Sequence, residues 1–144
     1  MAETAPRLEV GHLTRAFGGR PVVEDVALRV ASGQVTCLLG PSGCGKSTTL
    51  RIIAGGERAD AGEVRIDGEL MAGPGLHLPP ERRGVGMMFQ DFALFPHLTV
   101  AANVAFGLTG DRAAKTHRVG ELLERVNLSG FGTKHPHQLS GGEQ

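Results

Sequence analysis

Two kinds of hydrophobic pattern run along this chain of 144 residues. The first is alternation. Leu8 and Val10 alternate with Arg7, Glu9 and Gly11, and Val26, Leu28 and Val30 alternate with Asp25, Ala27 and Arg29. Glu63-Val64-Arg65-Ile66-Asp67 repeats the pattern. Period two is that of a strand with one buried face, and one-sided burial predicts an antiparallel sheet. Gly18-Gly19 marks the turn between the first two strands, and Asp67-Gly68 closes the third. The second kind is a near-continuous apolar run. Val35–Leu39 and Val85–Phe89 both fit strands buried on two faces, as in a parallel core.

Helical spacing appears three times. Leu50, Ile53 and Ala54 fall at i, i+3, i+4, and Gly55-Gly56 supply a stop. Thr99 predicts the cap of a short helix through Phe106, ended by Gly107. Asp111 predicts the cap of the next, whose Val119, Leu122, Leu123 and Val126 make an apolar face that reads as core. Met71–Arg83, with Gly73-Pro74-Gly75 and Pro79-Pro80, reads as a loop, and so does Gly130–His137. Phe92, Leu94, Phe95, Pro96 and Leu98 cluster without a clean period. They either fold over the core or form an exposed contact patch.

The link between the Val35–Leu39 run and the first helix changes the picture most. It reads Gly40-Pro41-Ser42-Gly43-Cys44-Gly45-Lys46-Ser47 and fits G-x-x-x-x-G-K-[ST], the P-loop pattern. Gly40 and Gly45 permit backbone angles that turn successive N–H groups toward one centre, which suits a phosphate. Lys46 brings a mobile point charge for the outer phosphates. Ser47 offers a hydroxyl to Mg²⁺, which takes few protein ligands. The loop opens a helix, where peptide dipoles favour an anion. Residues 40–48, through Thr48, are therefore the predicted phosphate-binding set.

Composition narrows the rest. Basic and acidic residues number 15 each, so no global field draws nucleic acid or an anionic membrane. Glycine (22) and proline (8) together stay below the ~25–30% that marks disorder. The length allows one ordinary domain at most. Cys37, in a predicted buried strand, and Cys44, in the P-loop, are poorly placed to bridge, so a reducing, cytoplasmic compartment is expected. No run approaches the ~18 apolar residues of a membrane span, and Met1–Pro6 has no apolar signal core, so any membrane role runs through a partner.

Four further positions carry candidate chemistry. Phe17 ends the first strand and is either core packing or a platform for an adenine. Gln90 follows the second apolar run, on the side where such sheets bind ligands, and either hydrogen-bonds structurally or meets Mg²⁺ or a water. His135 and His137 lack the carboxylate or cysteine neighbours of a metal site and read as solvated loop. The last six residues are Leu139-Ser140-Gly141-Gly142-Glu143-Gln144. Ser140 looks like an N-cap with an acidic residue at N3. The same hydroxyl and bare glycine N–H groups also suit an anion.

With Phe17, the P-loop, Gln90 and Leu-Ser-Gly-Gly-Glu-Gln in this order, the chain resembles the ATP-binding subunit of ABC transporters from about Leu8 to Gln144. The resemblance implies an α/β fold: a P-loop NTPase (RecA-like) core with an antiparallel β subdomain, over about 7–90, and a Q-loop and helical subdomain, over about 91–144. It implies ATP and Mg²⁺ as ligands, Lys46 and Gln90 as catalytic residues, and Ser47 and Gln90 as metal contacts. Phe17 would hold the base, residues 40–48 the phosphates, and Ser140, Gly141 and Gly142 the γ-phosphate of a partner's nucleotide. Two subunits would pair head to tail on the cytoplasmic face of the inner membrane. A permease would be contacted through Asp91–Asn103 and served by a periplasmic or extracellular solute-binding protein, with no nucleic acid partner. Residues 89–100 resemble importers of ferric iron, polyamines, sulfate or sugars, most of all the iron and polyamine group.

Two departures carry expectations of their own. Glu143 stands where the family often has Gln. The family's Walker B strand, with its Mg²⁺-holding Asp and catalytic Glu, and its switch His do not appear. The sequence therefore reads as an N-terminal piece with an incomplete core, an exposed apolar edge and poor ATP turnover by itself. The competing readings are a soluble ABC-type ATPase acting on DNA or ribosomes and a nucleotide-binding module without turnover. A P-loop kinase or GTPase would leave the last six residues unexplained.

Overall fold

The computed structural model describes residues 6–91 and 93–144. The chain divides into two compact units, Met1–Met87 and Met88–Gln144.

In the first unit, β1 (Pro6–Phe17) and β2 (Arg20–Ala31) form a long hairpin closed at Gly18-Gly19. Next come β3 (Ala61–Ile66), β4 (Glu69–Gly73) and β5 (Leu76–His77). The sheet order is β2-β1-β3-β4-β5 and every pairing is antiparallel, as alternation predicted. In β2, Val26, Leu28 and Val30 are half-buried while Asp25, Ala27 and Arg29 face solvent. β1 changes phase: Val10 and Leu13 are both buried, with a register irregularity between them. His12 and Asp25 take left-handed backbone there, φ 50° and 48°, and the extra residue returns Leu13 to the core face.

α1 (Lys46–Ala54) packs into this sheet. Leu13, Val23, Ile52 and Val64 are fully buried, each worth roughly 1.5–3 kcal/mol by transfer. Arg83 is also buried, and its Nη1 donates to Ile52 O at 2.8 Å and Ile53 O at 3.0 Å. Its Nε donates to Leu78 O at 2.7 Å. The guanidinium thus helps cap the end of α1, adding to the Gly55 N–H that Ile52 O already accepts at 3.1 Å. Burial lowers its pKa, and burial together with Arg83 lowers that of His77.

Three expectations are corrected here. Met71–Arg83 is not one loop: Met71 and Ala72 are buried in β4, and Gly73-Pro74-Gly75 turns into β5. The Asp67-Gly68 turn starts a hairpin whose second strand is too short for alternation to reveal it. The buried stripe of α1 is Thr49, Ile52 and Ile53 with Ala54, while Leu50 faces solvent, because the sheet meets the helix one residue round from the predicted face. Most consequentially, Val35–Leu39 and Val85–Phe89 form no strand among the described residues. Val35, Leu39 and Met88 are 93%, 92% and 97% exposed, and Cys37 is exposed with them. A doubly buried strand exists only between neighbours on both sides, and none of the described strands pairs with either run.

In the second unit, α2 (Val100–Ala105) begins at Thr99, whose hydroxyl accepts from Ala102 N at 3.2 Å. α3 (Arg112–Arg125) begins at Asp111, whose carboxylate accepts from Ala114 N at 2.8 Å. Both predicted caps form, each worth about 1 kcal/mol. Val100, Val119 and Leu123 make the small core, with Leu139 against it. Leu122 is half-buried, and Val126 lies past the helix end, exposed. The predicted face therefore closes for two of its four members. Phe92 lies outside the described residues. Phe95 packs against Phe106 with ring centroids 4.4 Å apart and tilted by 38°, and Asn103 ties the segment down, accepting from Phe95 N at 2.8 Å and donating to Phe95 O at 3.1 Å. No described helix is long and apolar enough to cross a membrane.

Candidate functional site

The P-loop is built from its backbone outward. Gly45 sits at φ 87° as the N-cap of α1, and a Cβ there would lie 2.2 Å from Val22 O. The loop therefore lies directly against β2, and a side chain is excluded twice, by torsion and by space. A Cβ on Gly40 would meet Cys44 Sγ at 2.7 Å. Thr49 secures the helix start, donating its hydroxyl to Gly45 O at 3.0 Å. Lys46 Nζ folds into the loop and donates to Gly40 O at 2.8 Å and Pro41 O at 2.7 Å. Pro41, Ser42, Gly43, Cys44 and Ser47 are exposed and Thr48 is half-buried.

Phe17 lies in the same unit, at the end of β1, paired with Arg20 across the turn. The residue is 44% exposed. Arg15, two residues earlier on the strand, lies over that ring at 4.5 Å from the centroid. The same guanidinium donates to Asp60 at 2.6 Å and Glu57 at 2.8 Å. Asp60 also accepts from Ala16 N at 2.7 Å. That amide and Arg15 hold the Asp60 carboxyl below its ordinary range, and Asp60 in turn raises Arg15.

The second unit carries the other predicted residues. Gln90 is exposed in a bend. Leu139–Gln144 forms a single helical turn, with Gln144 N donating to Ser140 O at 3.1 Å. Ser140 donates twice to one oxygen of Glu143, from Oγ at 2.6 Å and from N at 2.7 Å. That hydroxyl and that amide hold the Glu143 carboxyl below the ordinary range. Glu143 thus accepts the Ser140 N–H as the N3 residue of a capping box does, while the Ser140 hydroxyl donates to that carboxylate and no described backbone N–H donates to it. A Cβ on Gly141 or Gly142 would meet nothing within 4 Å. Beside this turn lies an apolar groove of about 250 Å³ lined in part by Leu122, Val126 and Leu139. His135 and His137 belong to a short helical turn region, their rings stacked at 5.7 Å.

The P-loop presents a chemistry suited to a polyphosphate: a helix N-terminus, two positions that exclude Cβ, and an ammonium already seated among loop oxygens. Comparison with known proteins agrees. The ABC transporter family matches residues 23–144, taking in both the P-loop and the final turn. The chain belongs to the ABC transporter family. It is 49% identical to the spermidine/putrescine import ATP-binding protein PotA of Nitrosospira multiformis, over 95% of this chain and 38% of that protein. It is 50% identical to the Fe(3+) ions import ATP-binding protein FbpC 1 of Rhodococcus jostii, over 95% of this chain and 39% of that protein. It is 45% identical to the putrescine transport ATP-binding protein PotG of Escherichia coli, over 96% and 37%. The chain thus spans less than two fifths of the length of these relatives. Among solved structures it resembles the dimeric ATP-binding cassette MJ0796 bound to ADP and Pi, with a TM-score of 0.74 and 26% identity, over 94% of this chain and 64% of that one.

Sequence reasoning singled out Phe17 but missed Arg15, Glu57, Asp60 and Arg83. For Arg15 a signal existed, since residues i and i+2 of a strand share a face. Its carboxylate partners lie 42 and 45 residues away, and no local pattern points to them.

Proposed function

We propose that this ABC family member is the ATP-binding subunit of an importer. It binds and hydrolyses ATP at a head-to-tail dimer interface and so drives solute uptake through a permease. The observation that carries this reading is the coexistence, in one chain, of the Lys46 P-loop and the Ser140-Gly141-Gly142 turn. Each is an anion-binding opening, and each supplies half of what a triphosphate needs. In this reading Gly40–Thr48 of one subunit hold the phosphates, Lys46 neutralises charge developing on them, and Phe17 holds the base. Ser140, Gly141 and Gly142 of the partner complete the cage once Ser140 leaves Glu143. Mg²⁺ would be held by Ser47 and Gln90, where it would screen the phosphate oxygens.

The names of the relatives support import of a polyamine or of ferric iron. In the same reading the subunit sits at the cytoplasmic face of the inner membrane, contacts a permease through residues 91–103 and is served by a solute-binding protein. Phe95 in that segment and Phe106 beside it, 38% and 67% exposed, offer an apolar surface. We also propose that residues 1–144 alone turn ATP over slowly, because no apolar run after the P-loop ends in the Asp-Glu pair that positions magnesium and water.

The test is ATP-dependent uptake of labelled spermidine or Fe(3+) by vesicles holding the full-length subunit and its permease. Uptake abolished by Lys46→Ala supports the reading. Uptake indifferent to that change, or ATP turnover that no permease affects, overturns it. Turnover by residues 1–144 at the rate of the full-length subunit would remove the second proposal.

A further inference from the structure

Arg15 has more contacts than an ion pair requires. Its Nη1 and Nη2 each hold a carboxylate, Asp60 at 2.6 Å and Glu57 at 2.8 Å. Its Cζ stands 4.5 Å from the centre of the Phe17 ring. Its Nε is buried and has no acceptor among the described residues. Leaving such a donor unmet is costly, so placing the group over the ring has been favoured above satisfying every N–H. Glu57 and Asp60 lie on the connection from α1 to β3, and Glu57 N donates to Arg51 O of α1 at 3.3 Å. Asp60 also grips the main chain around Phe17: its carboxylate takes Ala16 N–H at 2.7 Å, and its own N–H goes to Thr14 O at 2.8 Å.

We infer that Arg15 is a positioning and specificity residue for the base of the nucleotide, backing the Phe17 ring and tying it to the helix that carries the P-loop. This rests on Phe17 being the base platform. Two physical effects follow from the geometry. The faces of two stacked aromatic systems are both electron-rich and repel. A cation on the rear face of Phe17 draws density from the ring, which favours stacking of a purine on the front. The carboxylates fix the guanidinium, so the ring cannot tilt, and its distance from the phosphate site is set through α1. A base can then be read while the triphosphate is held, because one rigid network carries both.

The experiment compares dissociation constants for ATP and for inorganic tripolyphosphate, which carries the charge without a base, in the full-length subunit with Mg²⁺. Phe17→Ala should weaken ATP about tenfold or more and leave tripolyphosphate unchanged. Arg15→Ala should weaken ATP about three- to tenfold, again without touching tripolyphosphate. It should add little when combined with Phe17→Ala, since the two act through one ring. Arg15→Lys keeps a cation without the two-pronged fork and should fall between Arg15→Ala and wild type. If Arg15→Ala fails to fold, Arg15→Lys carries the test by the same ratio. Equal weakening of both ligands by the Arg15 variants would mean a merely structural ion pair and overturn the inference. An unchanged ratio in the Arg15 variants, with Phe17→Ala still selective against ATP, would also overturn it while leaving the platform intact. An unchanged ratio in Phe17→Ala removes the platform reading and the inference together.

Discussion

The chain contains two glycine-rich openings of helical turns, and they are built in opposite ways. The P-loop is wedged against its own sheet, where Gly45 has Val22 O where a Cβ would stand. The Ser140–Glu143 turn has free space around both glycines. In each, the side chain that would greet a phosphate is engaged inside its own loop. Lys46 is held by two neutral carbonyls, whereas Ser140 is held by a carboxylate. The difference separates two reasons for glycine. At the P-loop, glycine is demanded by the fold of this chain. At the final turn nothing among the described residues demands it, and the approach of a partner's nucleotide, as proposed above, would supply the demand.

That contrast can be broken by experiment. The largest effect is expected for Lys46→Ala in the full-length subunit: ATP turnover falls about 10²–10³-fold, with the thermal midpoint nearly unchanged because the ammonium meets exposed loop groups, two carbonyls and the Cys44 sulfur. Turnover within a few-fold of wild type would dissolve the site itself. Gly45→Ala comes next, and should lower unfolding stability by about 2–4 kcal/mol through overpacking and a strained torsion, read from a urea midpoint. A neutral result would show that the P-loop does not need its close seat on β2. Gly142→Ala should change stability by less than about 0.5 kcal/mol yet slow turnover about tenfold in the assembled dimer. Loss of stability instead would erase the difference between the two openings.

The smallest effect concerns Glu143. Its carboxyl is held below the ordinary range by the Ser140 hydroxyl and amide. A depressed carboxyl stabilises the turn above its unfolded pKa, and that contribution fades as pH falls through the lowered folded value. The Ser140 amide resonance should therefore shift only in acid, below the usual glutamate range. Glu143→Gln should abolish that shift. A shift centred near neutrality would contradict the carboxylate contact.

Motif chemistry was the most legible part of the sequence. The caps Thr99 and Asp111 act through residues three positions away, so their spacing reports their job. The antiparallel strands were legible for the same reason, since one-sided burial leaves alternation behind. What failed was whatever depends on distant partners. Val35–Leu39 and Val85–Phe89 are apolar enough for strands, but a strand is a relation between segments, and composition alone supplies only one side of it. Leu50 was assigned to the wrong stripe because the helix pattern leaves several faces open until a sheet selects one. Arg15 and Arg83 reach across tens of residues to Asp60 and Ile52, and only the folded chain brings those pairs together.

Arg83 gives the P-loop helix the mechanics of a beam. One end of α1 carries Lys46 and Ser47, the proposed phosphate contacts. The other end is pinned by a buried guanidinium that also grips Leu78 O. Any tug on the loaded end is therefore passed to the chain at residue 83 instead of dissipating in a frayed terminus.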